Sequence, residues 1–233
     1  MIPEFAENYK PRALDKKFPL VLSELRDDNY VSVNKDTLKE HCENVFQTIT
    51  VSDEEATNVE MATKQQARSK EWHRFRTGRI TASKMKSVCH TPLQKPAPSL
   101  IKAICYPTTV KFSNKATRWG CDHEKEVQSQ YADNMRVNHE NFEIQESGLV
   151  LNKKYPFLGA SPDGIANCDC CGEICIEIKC PYCKKDKNLS DSINKKDCLE
   201  LIDGKMTLTI VWNVRINFHC RNNRCYMYNY MSL

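Results

Sequence analysis

Ser161-Pro162-Asp163-Gly164 is followed, across a cysteine-rich stretch, by Cys175-Ile176-Glu177-Ile178-Lys179-Cys180-Pro181. The second segment alternates apolar and charged residues, the pattern of a half-buried strand. Side chains two apart on a strand share a face, so Glu177 and Lys179 are expected to project together while Ile176 and Ile178 face the core. Upstream, Leu158 to Ala166 reads as a second strand with a bend, and Cys168-Asp169-Cys170-Cys171-Gly172 reads as the turn. A hairpin symmetric about Cys170 sets Asp163 opposite Glu177. Directly opposed residues of an antiparallel pair hold their Cβ atoms about 4.5–5.5 Å apart, near enough for two carboxylates to share one ion.

The donor chemistry then suggests a reaction. Hard divalent cations such as Mg²⁺ take oxygen ligands and keep several waters. Two carboxylates, a backbone carbonyl and a scissile phosphate would complete such a shell. A cation there lowers the pKa of bound water and neutralises charge on a phosphate, and Lys179 would orient the nucleophile or stabilise the transition state. The competing structural reading is a surface hairpin whose Glu177 and Lys179 form an exposed ion pair of about 0–1 kcal/mol.

These residues resemble the core motif of the PD-(D/E)XK nucleases, in the branch typified by lambda phage exonuclease and the YqaJ viral recombinases. Trp72-His73-Arg74-Phe75-Arg76-Thr77-Gly78-Arg79-Ile80-Thr81-Ala82-Ser83 is similar to that family's N-terminal signature. Trp119-Gly120 with Glu124 is similar to its helix bearing a further acidic residue. The resemblance covers about Trp72 to Tyr182, with the motifs in the family's order. It implies an α/β, restriction-endonuclease-like core: a central mixed β-sheet flanked by helices, with a helical N-terminal part. It implies a Mg²⁺- or Mn²⁺-dependent deoxyribonuclease, exonuclease-like on duplex DNA ends and related to recombination or repair. Glu124, Asp163 and Glu177 would bind metal, with Asp163, Glu177 and Lys179 catalytic, and Arg76, Ser83 and Arg79 would contact DNA phosphate. A homo-oligomer and a single-strand annealing partner are further implications of the resemblance.

Independently of any family, Lys64, Arg68, Lys70, Arg74, Arg76, Arg79, Lys84 and Lys86 are opposed within their stretch only by Glu71, although the whole chain carries a formal net charge of just +4. Such a concentration neutralises backbone phosphates and releases counterions, giving salt-dependent binding indifferent to base sequence. Its structural alternative is a solvated basic helix face. Trp72 and Phe75 read as core anchors within it. Glu124, with Val127 and Tyr131 at i+3 and i+7, is placed on the edge of a helix's buried face. Glu126 points about 160° away on the helical wheel, and His123 reads as structural or exposed.

Thirteen cysteines call for their own reading. Cys168-x-x-Cys171 and Cys180-x-x-Cys183 imitate a paired zinc knuckle. An extended strand over 173–179 would hold Cys171 and Cys180 roughly 25–30 Å apart at about 3.3 Å per residue, which argues against one shared ion unless the segment bends. The odd count and the absence of an apolar signal region at the start disfavour disulfides. Reduced thiols in an intracellular protein, nuclear or cytoplasmic rather than secreted, fit better, and no segment has the length and apolarity to cross a bilayer.

The chain divides in sequence into an N-terminal extension at 1–69, irregular then helical, a nuclease domain at 70–205 and a divergent tail at 206–233. A helix is expected over Asp36 to Ile49, then a capping box at Ser52-Asp53-Glu54-Glu55 opening a helix to about Arg68. Four prolines between Thr91 and Thr109 mark a loop with one helix near Ser99, and 142–151 is strand-like. After Lys179 no glutamine occurs, unlike the family's Gln-x-Gln helix, and 206–233 contains no acid. A truncated or frame-shifted product is one reading of this incomplete C-terminal part. A new edge strand from Leu208 to Phe218 is another. A catalytically inactive DNA-binding remnant and a cysteine-based zinc interaction module are the functional alternatives to a nuclease.

Overall fold

The computed structural model describes residues 17–107, 114–178, 180 and 182, together with the backbone of strands at 199–202, 205–208, 215–221 and 224–230. The chain is mixed α/β, as expected, and forms two compact units, Met1–Thr81 with Gly148–Ala160 and Ala82–Ser147 with Ser161–Leu233. The units interleave along the sequence and so cut across its linear division into extension, central domain and tail.

In the first unit, helices begin where side chains can hold the first orphan N–H groups. Asn34 accepts from Thr37 at the start of α1 (Lys35–Thr48). Ser52 and Glu55 close the expected capping box on α2 (Asp53–Ala62), which stops short of Arg68. A separate 3₁₀ turn then spans Gln66–Arg68, and Ser69 caps α3 (Lys70–Arg76). A three-stranded mixed sheet pairs β1 (Ile80–Thr81) parallel to β4 (Leu158–Ala160), with β3 (Val150–Leu151) antiparallel on the other side. Val21, Val51, Val59, Phe75, Leu149 and Leu151 make the core, with Trp72 packed against it. Both aromatics of the basic run are thus anchors, as the sequence suggested.

Two buried polar side chains hold this unit together. Thr63 is fully buried, and its Oγ1 donates to the Val59 carbonyl at 2.6 Å and accepts the Leu149 N–H at 2.6 Å. Next to it, a Cβ at Gly148 would lie 2.0 Å from the Glu60 carbonyl oxygen, so no larger residue fits. Arg79 is 1% exposed, and its guanidinium donates to the carbonyls of Phe75 at 2.6 Å, Pro156 at 3.0 Å and Leu20 at 3.3 Å. Burial pulls its pKa down to about 10. The expected phosphate contact at Arg79 is corrected by this geometry: the side chain is enclosed and spent on main-chain acceptors.

The second unit contains α4 (Ala82–His90), α5 (Pro98–Cys105) and the long α6 (Lys115–Arg136), capped by Asn114. Pro98 opens α5 from its first turn, where a missing N–H costs nothing. An antiparallel sheet orders β2 (Glu143–Gln145), β5 (Gly164–Cys168) and β6 (Gly172–Ile176) with β5 central. Ala132, Met135, Phe142, Ala166, Cys168, Ile176 and Ile178 form its core. The tail, for which a single new strand is one of two readings, contributes to a four-stranded antiparallel sheet of β7 (Leu199–Ile202), β8 (Lys205–Leu208), β9 (Arg215–Arg221) and β10 (Arg224–Tyr230). Among the described residues no helix is long and apolar enough to cross a membrane.

Replacing Thr63 by the isosteric Val strands the buried Leu149 N–H. The expected cost is about 1–3 kcal/mol, seen as a lower urea midpoint at unchanged slope. An unaltered midpoint would show that the N–H has another acceptor.

Candidate active site

The β5–β6 hairpin pairs Gly164 with Ile176, Ala166 with Ile174 and Cys168 with Gly172, a register centred on Cys170 as the sequence implied. Gly172 takes φ +72°, with nothing within 4 Å of where a Cβ would stand, and turns the chain back into β6. The ladder ends at Gly164–Ile176, and Asp163 and Glu177 are the next residues beyond it on the two strands.

At that open end the ladder gives way to a side chain. Asp163 N–H donates to the Ile176 carbonyl at 3.0 Å, and Asp163 Oδ2 accepts the Ile178 N–H at 2.5 Å. The carboxylate takes a donor that a continuing strand would have paired, which is why β6 ends at Ile176 rather than reaching Lys179 as expected. The predicted facing survives: Ile176 and Ile178 are 2% and 6% exposed, while Glu177 is half-buried. Lys179 lies outside the described residues.

Helix α6 lies along this end of the hairpin. Gly120, Glu124 and Gln128 recur every four residues and therefore share a face. Gln128 Nε2 donates to the Asp163 carbonyl at 3.2 Å, and a Cβ at Gly120 would stand 4.0 Å from the Cys180 carbonyl oxygen. Glu124, midway between those anchors, thus sits on the face that meets the hairpin beside Asp163. It is half-buried and Glu126 is exposed, matching the helical-wheel expectation. Val127 does not: it is 40% exposed, and the inward stripe runs instead through Gln128, Tyr131, Ala132 and Met135. Electrostatics tell the same story, for the Cys121 thiol is pushed up by desolvation and then by the negative charges of Glu124, Asp122 and Asp163. His123 is structural, stacked on Trp119 at 3.7 Å with Nδ1 2.8 Å from the Trp119 carbonyl oxygen.

Glu124, Asp163 and Glu177 offer only carboxylate oxygens, a donor set suited to Mg²⁺ or Mn²⁺. They border one seam without closing on a point. Among the described residues, the group of potential ligand atoms gathered within 4.8 Å of one another lies at the other end of the hairpin, at His139, Cys168, Cys170 and Cys171. Sequence reasoning missed both Gln128 and His139. The first was visible as the residue one helical turn after Glu124, whereas the second is brought to its partners only by the fold. Of the two Cys-x-x-Cys pairs, whose separation in sequence argues against one shared ion, Cys183 lies outside the described residues, and the described cysteines form no disulfide.

The expected phosphate-binding residues are distributed over both units. In the first, the Arg76 guanidinium lies 3.7 Å over the Trp72 ring, half-buried, with Nη2 3.5 Å from Thr81 Oγ1. Burial lowers its pKa. Arg74 is paired at the surface with Glu24 and Glu71, at 3.2 and 3.3 Å, so part of the basic run is locally neutralised. In the second, Ser83 is exposed in the first turn of α4.

Comparison with known proteins sets these observations in a family. No curated protein matches the chain. Among solved structures, an alkaline exonuclease from Laribacter hongkongensis is 25% identical, with 49% of this chain and 54% of that chain covered and a TM-score of 0.35. This chain therefore spans about half the length of that protein. Residues 71–205, more than half of the chain and including every motif from Trp72 to Pro181, match the YqaJ-like viral recombinase domain, and the chain belongs to that family.

Proposed function

We propose that this chain is a metal-dependent DNA nuclease that hydrolyses phosphodiester bonds at duplex ends, in the service of recombination or repair. The observation that supports the reading is the hairpin that ends at Gly164–Ile176, beside Asp163 and Glu177, with α6 docked on it by the Gln128 hydrogen bond to the Asp163 carbonyl one helical turn from Glu124. The family match supports the nuclease class.

Asp163, Glu177 and Glu124 would hold the cation through oxygen atoms. When bound, Mg²⁺ or Mn²⁺ supplies an acidified water and offsets phosphate charge. The chain's own work is positional. The Ile178 N–H fixes one oxygen of Asp163, and Gln128 fixes its carbonyl, so the carboxylate is oriented before substrate arrives. Burial of Ile176 and Ile178 gives the charged groups a low-dielectric floor. Lys179, by resemblance, orients the attacking water or meets charge developing on the phosphate. Arg76, held flat on Trp72, and Ser83 would contact backbone phosphate without reading sequence.

On end-labelled duplex with Mg²⁺, Asp163→Asn and Lys179→Ala are each expected to lower the digestion rate by about 10²–10³-fold, with circular dichroism unchanged. Activity surviving both substitutions contradicts the mechanism. A wild-type chain that binds duplex but never cuts it would instead favour the DNA-binding remnant.

Salt dependence separates the two arginines. Arg76→Ala should reduce the slope of log affinity against log salt by about 0.9 for the lost phosphate contact. Arg79→Lys should leave the slope intact and lower the unfolding midpoint. The reverse pattern would exchange their roles.

A further inference from the structure

We propose that the turn end of the β5–β6 hairpin is a structural Zn²⁺ site whose four ligands are His139, Cys168, Cys170 and Cys171. The ligand atoms converge: His139 Nδ1 lies 3.0 Å from Cys170 Sγ and 3.5 Å from the sulfurs of Cys168 and Cys171. Cys170 Sγ is 3.5 Å from Cys168 Sγ and 3.7 Å from Cys171 Sγ. A tetrahedron with Zn–S near 2.3 Å and Zn–N near 2.0–2.1 Å has S···S edges of about 3.8 Å and S···N edges of about 3.6 Å. The measured separations reproduce those edges to within a few tenths of an ångström, save the His139–Cys170 contact, which is shorter. Contact lengths that join thiols by hydrogen bonds are thus nearly the lengths at which one ion fits between them.

Donor chemistry selects the ion. Three thiolates and an imidazole are soft and borderline ligands that exclude Mg²⁺ and Ca²⁺ and match the closed Cys₃His set of structural zinc. A disulfide is a poor alternative, because bonded sulfurs stand about 2.03–2.05 Å apart and these sulfurs are 3.5 and 3.7 Å apart. The set also differs from the two Cys-x-x-Cys pairs visible in the sequence. Cys170, the residue inside the first pair, supplies a ligand, and Cys180 packs against the apolar core instead.

The surrounding backbone is built to hold the four together. His139 lies just past the end of α6, and the loop carrying it is tied to the turn by the Asp169 N–H to the Glu140 carbonyl at 3.1 Å and by Asn141 Nδ2 to Asp169 Oδ2 at 2.6 Å. Asn141 sits at φ +53°, a left-handed conformation that asparagine tolerates better than most residues. Cys168 is buried and anchors the sulfur cluster to the core, while Cys170 and Cys171 are exposed, leaving a path for the ion to enter. Zinc here clamps the C-terminal end of α6 to the hairpin turn. The hydrogen bond from Gln128 to Asp163 ties the same two elements near the carboxylates. The clamp would thus stiffen the frame on which Glu124 and Asp163 are carried, without touching either.

The test is elemental analysis of the full chain, purified under reducing conditions with zinc in the medium. The expected content is about one zinc per chain, falling at least about five-fold in Cys170→Ser and in His139→Ala and unchanged in Cys180→Ser. Less than about a tenth of an equivalent in the wild type, iron in place of zinc, or full retention by both ligand variants overturns the site. Should the variants fail to fold, Co²⁺ added to the zinc-stripped wild type decides the matter. Strong thiolate-to-cobalt charge transfer with intense tetrahedral d–d bands is expected, and a weak octahedral spectrum overturns it. Neither readout involves nuclease activity, so the outcome is independent of the proposed reaction.

Discussion

Asp163 makes three bonds that the open end of the β5–β6 hairpin depends on. Its N–H donates to the Ile176 carbonyl, its own carbonyl accepts from Gln128, and its carboxylate accepts the Ile178 N–H. One residue therefore terminates the hairpin ladder, docks the long helix and orients a charged oxygen at the same place. Because a charged acceptor on a main-chain donor is stronger than a neutral pair, the carboxylate outcompetes a continuing strand. That local substitution frees Glu177 from the regular ladder while leaving its apolar neighbours in the core. Gly164, immediately after, has no room for a side chain: a Cβ there would stand 2.9 Å from Gln128 Nε2 and from Ile144 Cγ2. The close approach of helix and hairpin is thus a consequence of residue size as well as of hydrogen bonding.

Much of this was legible in the sequence because it rests on short-range rules. Alternation told which isoleucines face inward, and a turn centred on Cys170 fixed the register. The capping box, the helix around Glu124 and the helix after Pro98 followed from local chemistry. Legibility failed where the outcome depends on competition or on distant partners. A run of cations does not reveal which one is enclosed, and Arg79 is enclosed because three carbonyls from separate segments surround it. The end of β6 depends on a carboxylate fifteen residues away in sequence taking the Ile178 N–H. His139 lies some thirty residues from the thiols it meets, so no spacing rule could pair them. The inward stripe of α6 shifted from Val127 to Gln128 because a hydrogen bond to the hairpin outweighed the apolar preference.

The hairpin is chemically divided. Its open end carries hard oxygen donors and its turn carries soft sulfur and nitrogen donors, with the apolar cluster of Ala166, Ile176 and Met135 between them. Metals discriminate by such donor character, so the two ends of one hairpin are suited to different ions and different tasks. The same helix borders both, with Glu124 toward the open end and His139 just past its last turn.

The proposed function requires Glu124, Asp163 and Glu177 to draw together around one cation when it binds. Crystals grown with Mn²⁺ and recorded near the manganese absorption edge test it most directly. An anomalous peak within coordination distance of Asp163 and Glu177 is predicted, weakened or lost in Asp163→Asn. Well-ordered density for all three carboxylates with no peak among them, at saturating Mn²⁺, would contradict it.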